Sequence, residues 1–189
     1  MDSKIKQKID VFFSDYAVRE YDKGQILVHA SDNPPGLIYL EKGQVRQYDI
    51  SNSGEIIVVN VFKAPSFFPV SWLLNKTRNQ YFLDAYTDVS IRTAPDDIGL
   101  KFLQDNTDVT LDLLGRVYIG LDGMKRRMTY LMGAGARSRV LYELIIECKR
   151  FGIKQANGSY ILEMHEGELA ARSGLARETV SRHLTKMGL

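Results

Sequence analysis

The sequence predicts an α+β chain: an N-terminal antiparallel β-roll of the jelly-roll kind, then a long α-helix, then a C-terminal helix-turn-helix. Three observations predict it. Between about Arg19 and Pro95, short β-branched and aromatic runs alternate with glycine-bearing turns. From about Asp105 the apolar residues change to a seven-residue repeat. In the last 25 residues, a small residue, a glycine and a valine stand at the spacing that two crossing helices require. The changes of period mark the boundaries, because strands repeat every two residues and helices every 3.6.

Composition sets the frame. The 189 residues are 44% hydrophobic and 25% charged, as in ordinary globular proteins. No apolar run reaches the roughly 18 residues that a membrane span needs, and the polar start Met1-Asp2-Ser3-Lys4 shows no signal peptide. One cysteine, Cys148, can form no internal disulfide and cannot by itself hold an iron–sulfur cluster. A cytoplasmic protein without membrane contact is expected. Residues 1–136 carry a net charge of −1 and residues 137–189 a net of +3. That asymmetry fits phosphate contacts, and fits chance equally well.

In the β-roll, Gln25–His29, Gly36–Leu40, Gln44–Tyr48 and Ile56–Phe62 are strand-length runs. Asp22-Lys23-Gly24, Glu41-Lys42-Gly43 and Asn52-Ser53-Gly54 separate them with turns. Asn33-Pro34-Pro35 and Ala64-Pro65-Ser66 read as loops. An amphipathic helix precedes the strands, giving a domain over residues 1–104. Residues 105–132 form the long helix. Its Leu114, Val117, Leu121, Met124, Met128 and Leu131 are spaced 3, 4, 3, 4 and 3 apart, an apolar seam suited either to its own domain's core or to a partner helix. Gly120 and Gly123 each weaken a helix by roughly 1 kcal/mol relative to Ala, which suggests close packing or the approach of a ligand. Residues 133–136, Gly133-Ala134-Gly135-Ala136, are a helix cap or a hinge.

A second helix over Arg137–Phe151 opens the last domain, residues 137–189, with Val140, Leu141, Leu144, Ile145 and Cys148 on its apolar side. Tyr160–Met164 reads as a short strand. His165–Ser173 and the segment starting at Arg177 are helices joined by Gly174-Leu175-Ala176. Ala170 is small where the second helix crosses. Gly174 takes a left-handed turn that a Cβ would penalise. Val180 completes the frame, and Leu169, Leu175 and Leu184 bury the seam. Arg177, Glu178, Ser181 and Arg182 then share an outer face, with Thr179 and Lys186 beside it. Arg can donate two hydrogen bonds to guanine, Glu can accept from cytosine N4, and Ser can contact several bases.

Arg177-Glu178-Thr179-Val180-Ser181-Arg182 resembles the recognition-helix signature of the CRP/FNR family of bacterial regulators, and the likeness extends over nearly the whole chain. The resemblance implies a sensor β-roll related to cyclic-nucleotide-binding domains, a long dimerisation helix and a winged helix-turn-helix. It implies a homodimer paired along Leu114–Leu131, with RNA polymerase as a further partner and double-stranded DNA as the target. A signal at the β-roll would shift the seam and swing the last domain about residues 133–136. Glu178 and Arg182 would address a GA core. Arg177 is similar to the cyclic-AMP members and their TGTGA half-site, Ser181 to the oxygen sensors and their TTGAT. The family continues past the recognition helix into a wing. The chain stops at Leu189, so the winged helix-turn-helix reads either as truncated or as departing from the family at its C-terminus, with backbone clamping weak.

Departures from the family restrict the effector. The family's phosphate-binding pairs fall at Phe68-Pro69-Val70-Ser71 and Asn79-Gln80, where no cation or ribose carboxylate stands, and its adenine-contacting hydroxyls fall at Met124-Lys125. Cyclic AMP is therefore not expected, nor is an iron–sulfur cluster. A lone His29 in the sensor half predicts no haem. The effector pocket is read as Phe68, Ser71, Trp72, Asn79, Gln80, Tyr81, Met124 and Lys125. The aromatic region around it is core packing, a site for an unidentified apolar ligand, or a filled pocket. No metal site is expected and no enzyme, since no nucleophile elbow, phosphate loop or histidine cluster occurs. The competing reading is a ligand-binding β-roll module whose C-terminal helices contact protein rather than DNA.

Overall fold

The computed structural model describes residues 2–52 and 54–189. Met1 and Ser53, which belong to the polar N-terminus and the Asn52–Gly54 turn read above, lie outside the described residues. The elements are α1 (Ser3–Phe13), β1 (Arg19–Tyr21), β2 (Ile26–Val28), β3 (Leu37–Lys42), β4 (Gln44–Ile50), β5 (Ile56–Lys63), β6 (Ser66–Phe68), α2 (Val70–Asn75), β7 (Phe82–Ala85) and β8 (Val89–Ala94). They continue with α3 (Asp96–Asp105), α4 (Thr107–Gly133), α5 (Ala136–Phe151), β9 (Ile153–Lys154), β10 (Tyr160–Ile161), α6 (Glu166–Ser173) and α7 (Arg177–Met187). The predicted α+β organisation is the one found. The chain divides into two compact units, one built from residues up to Ile50 with Val58–Val117, the other from Ser51–Ile57 with Tyr118–Leu189. No helix among the described residues is long and apolar enough to cross a membrane.

The first unit is organised around β3. Its two sheets have the strand orders β1-β8-β3-β6 and β2-β7-β4-β5. Leu37, Ile38, Tyr39 and Leu40 are each at most 1% exposed, because β3 is covered on both faces. Pleating sends alternate side chains to opposite sides. Leu37 and Tyr39 join Ile9 and Phe13 of α1 with Phe102, Val109 and Leu113 of the later helices. Ile38 and Leu40 join Val28, Val45, Leu83 and Ile91 between the sheets. Ile9 and Phe13 stand four apart, hence on one face of α1. Asp2 caps that helix by accepting from the Lys4 N–H at 2.7 Å. The Tyr39 hydroxyl donates to Asp10 Oδ1 at 2.9 Å. Burial, then the Asp10 hydrogen bond, pushes the Tyr39 phenol well above its ordinary range.

Several segments differ from the sequence reading, which held no helix at α2 or α3. Ala64-Pro65-Ser66 was expected to be loop throughout, yet Ser66 opens β6, which pairs antiparallel with β3. Pro65 sits just before that edge strand, where its missing N–H breaks no ladder bond. β7 lies inside its sheet although it contains Asp84, which is 3% exposed. Arg46 of β4 makes that tolerable by meeting both carboxylate oxygens, Nε at 3.1 Å and Nη2 at 2.5 Å. A charge in the middle of the run hid the strand. Finally, only Tyr160–Ile161 of the expected Tyr160–Met164 strand pairs, because its partner β9 is two residues long.

In the second unit α5, α6 and α7 enclose a small core of Val140, Leu169, Ala170 and Val180, with Leu144, Met164, Leu175, Leu184 and Met187 packed against it. Cys148 is half-buried and free.

Gly43 alone joins β3 to β4 at φ +85°, and a Cβ there would stand 2.2 Å from the Asp88 carbonyl oxygen. Gly43→Ala is therefore expected to lower stability by about 2 kcal/mol or more, read as the denaturant midpoint. An unchanged midpoint would mean that the Asp88 loop yields.

Candidate nucleic-acid interface and effector cavity

The helix-turn-helix is assembled from backbone geometry outward. α6 ends at Gly174, which takes φ 62°, ψ 41°, with its N–H bonded to the Ala170 carbonyl. The Leu175 N–H bonds the same carbonyl at 3.2 Å, so the turn closes on the small residue. Ala170 is 7% and Val180 0% exposed. With Val180 pointing inward, α7 presents its opposite face outward. Arg177, Glu178, Arg182 and Lys186 are exposed, while Thr179 and Ser181 are half-buried. Arg177 Nε stands 3.4 Å from Glu166 Oε2, and Arg182 Nη2 3.5 Å from Thr179 Oγ1. Both contacts are long, and both guanidiniums are exposed, so an incoming acceptor would displace little.

Beneath this face lie ion pairs that pattern reading missed. Arg172 Nη1 meets Glu147 Oε1 at 2.8 Å with both side chains at most 4% exposed. Arg127 Nε meets Glu143 Oε1 at 2.8 Å. The only sequence signal was two glutamates four apart, Glu143 and Glu147, on the side of α5 that faces the helix-turn-helix. A periodicity search reads such positions as solvated. Burial pushes both carboxyls above their ordinary value, and the neighbouring Arg127 and Arg172 pull them back only in part.

On α4, Leu114, Val117, Leu121, Met124 and Met128 are 42–57% exposed. Leu131 differs: it is half-buried, and its Cδ2 lies 3.8 Å from where a Gly174 Cβ would stand. Among the described residues nothing lies within 4 Å of where a Cβ would be at Gly120 or Gly123, so neither glycine serves close packing within the chain.

In the first unit, a cavity of about 220 Å³ is lined by residues including Phe68, Ser71, Trp72, Asn79, Gln80 and Tyr81, the pocket residues read from sequence. Met124 and Lys125 belong to the second unit and are not among its lining. The expectation that no cation stands here is corrected: Arg78 lines the cavity, as does Gln47 of β4. Reading only Asn79-Gln80 missed Arg78 by one residue. Two of the expected residues are already engaged. Asn79 Nδ2 donates to the carbonyls of His29 and Tyr81, and Trp72 Nε1 donates to Asp96 Oδ2 at 2.9 Å. Among the described residues no side-chain hydrogen bond engages Arg78, Gln47, Gln80 or Ser71, which leaves them to a ligand. His29 is exposed, its ring edge-on to Phe82 at 6.0 Å.

Comparison with known proteins gives a consistent picture. Residues 18–106 match the family described as the cyclic nucleotide-binding domain. The chain is 26% identical to the global nitrogen regulator of Nostoc sp. over 170 residues, covering 88% of this chain and 76% of that protein. It is 26% identical over 172 residues to the HTH-type transcriptional regulator ArcR of Staphylococcus haemolyticus, covering 90% and 75%. Among solved structures, the c-di-GMP responsive global regulator CLP of Xanthomonas campestris superposes with a TM-score of 0.85 at 17% identity, covering 97% of this chain and 91% of that one. A CRP/FNR-family transcriptional regulator of Thermus thermophilus gives 0.74 at 21% identity, covering 91% and 86%. The structural likenesses establish the fold.

The buried glutamates make a pH dependence with a definite sign. A carboxyl raised on folding binds its proton more tightly in the folded state. Its contribution to stability is complete below the unfolded value of about 4.3 and is lost as pH rises through the raised folded value. Glu147→Gln is therefore expected to flatten the fall of the melting midpoint as pH rises above the ordinary carboxyl range. A steeper fall in the variant would mean that Arg172 outweighs burial.

Proposed function

We propose that this chain, which has the fold of the CRP/FNR transcription regulators with a cyclic nucleotide-binding domain at residues 18–106, is a dimeric, sequence-specific DNA-binding regulator. The observation that carries the reading is the outer face of α7. With Ala170 and Val180 buried and Gly174 at the turn, Arg177, Glu178, Arg182 and Lys186 are exposed together, the geometry of a helix that enters a major groove. Arg182 forks onto guanine O6 and N7, and Glu178 accepts from cytosine N4, which together read a GA core within a TGTGA-like or TTGAT-like half-site. Lys186 and Thr179 contact the backbone or flanking bases.

Dimerisation along α4 follows from its uncovered seam, a contiguous apolar stripe of a kind that monomers rarely leave in water. Two chains paired there would set the recognition helices about 34 Å apart, one helical turn of DNA. The effector site is the 220 Å³ cavity, smaller than the roughly 300–1,000 Å³ usual for drug-sized ligands. Arg78 between amides and aromatic walls suits a small anion. The lining holds no carboxylate for a ribose hydroxyl, which argues against cyclic AMP. RNA polymerase is the further partner of such a regulator.

Selection of bound sites from random DNA is the direct test, and it should return inverted repeats with a GA core. Arg182→Ala is expected to weaken the selected site by about 1–3 kcal/mol and to relax its guanine. Equal loss on scrambled DNA would overturn that role. Leu121→Glu is expected to yield monomers in sedimentation, and a persistent dimer would place the interface elsewhere.

A further inference from the structure

The elbow between α4 and α5 contains Gly133 and Gly135, and its sequence reads as a swivel or a cap. Its geometry does not need glycine. Gly135 sits at φ −68°, ψ 163°, a conformation open to any residue, and a Cβ at either position would meet nothing within 4 Å among the described residues. Glycine there gives freedom, yet side chains cross the elbow and remove it. Arg127, two turns before the end of α4, reaches Glu143 of α5 through Nε at 2.8 Å. Its Nη2 donates to the carbonyl oxygen of Arg172, in the last turn of α6. That carbonyl is among those a helix end leaves without an intrahelical partner, so a guanidinium suits it both as donor and as charge.

Further contacts close the same joint. Tyr130 of α4 stacks on Tyr142 of α5 at 4.0 Å between centroids and 18° between planes. Leu131 packs toward Gly174. Arg139 of α5 donates to the Gly174 carbonyl at 3.3 Å, and Arg172 is anchored on Glu147. Arg127 and Arg139 thus hold the Arg172 and Gly174 carbonyls where α6 ends, and Arg172 is itself held by Glu147. The boundary between the compact units falls between Val117 and Tyr118, inside α4 and not at the glycines.

We propose that Arg127 is a positioning residue that locks the last two turns of α4 to the helix-turn-helix, so that a movement of the α4 seam is delivered to α7 by a rigid elbow rather than by a swing about residues 133–136. The proposal rests on the DNA-binding reading only for its consequence at DNA. The rigidity is a property of the free chain. A lysine at this position would keep the charge but could not grip Glu143 and the Arg172 carbonyl together, because it lacks the planar fork.

The test uses the full chain in a Cys148→Ala background, with spin labels at Thr129 and Thr185, both exposed, diluted with unlabelled chain so that only distances within one chain are read. A single narrow distance distribution is expected for Arg127, a broad one for Arg127→Gln and an intermediate one for Arg127→Lys. The dimer should persist in sedimentation in both variants. Affinity for the selected site should fall roughly tenfold in Arg127→Gln, with partial recovery in Arg127→Lys. A broad distribution with Arg127 in place, or a narrow one in Arg127→Gln, would overturn the proposal. Should Arg127→Gln lose its helical circular dichroism, Arg127→Lys decides by the same criterion. Narrow distances with no DNA binding by the unsubstituted chain would sink the regulator reading and leave the rigid elbow standing.

Discussion

The second unit depends on a guanidinium and a carboxylate held 2.8 Å apart almost out of reach of water, Arg172 and Glu147. Among the described residues its apolar core has four buried members, too few to choose one arrangement of α5, α6 and α7 by packing alone. Buried charge supplies the choice. Desolvation costs several kcal/mol per ion and is recovered only at close, well-aligned contact, so α6 has one seat on α5 and few near-equivalents. α6 leads into Gly174, Gly174 aims α7, and the exposed face of α7 inherits its direction from a contact buried away from it. The raised carboxyls of Glu143 and Glu147 report the same tension between burial and pairing.

The first unit solves a different problem. β3 is covered on both sides, by helices on one and by the second sheet on the other, and so four consecutive residues can be apolar without aggregating. A sheet covered this way needs small, tight connections, and Gly43 is one of them. The cavity opens away from this dense core, where α2 and the segment 77–81 meet β4 to β7. Its walls are aromatic and its polar groups are mostly uncommitted. Under the proposed reading, a ligand with its own hydrogen bonds and a negative charge for Arg78 would suit it.

The two units use the long helix differently. Val109 and Leu113 are buried at its start, whereas the residues from Leu114 to Met128 keep their apolar surface in water. Leu131 belongs to the same heptad series yet turns toward Gly174. The series therefore has two environments: most of it is exposed, and its last member packs toward the turn of the helix-turn-helix. Period alone cannot separate them, because the spacing is identical and only the neighbours differ.

What the sequence by itself determined were the features that depend on local spacing. The helix-turn-helix frame follows from Ala170, Gly174 and Val180, the strand runs from their β-branched and aromatic residues, and the seam from its heptads. Each is a short-range steric rule, legible wherever the residues are neighbours in the chain. Tertiary structure alone decided what depends on distant partners. Asp84 is a strand residue only because Arg46 meets it, and Arg78 faces the cavity because of how the 77–81 segment folds over it. The elbow is the clearest case. Two glycines read as freedom, and Arg127, six residues earlier, removes it by binding Glu143 and Arg172, sixteen and 45 residues away in sequence. A side chain's reach is set in space, and the sequence states only its type.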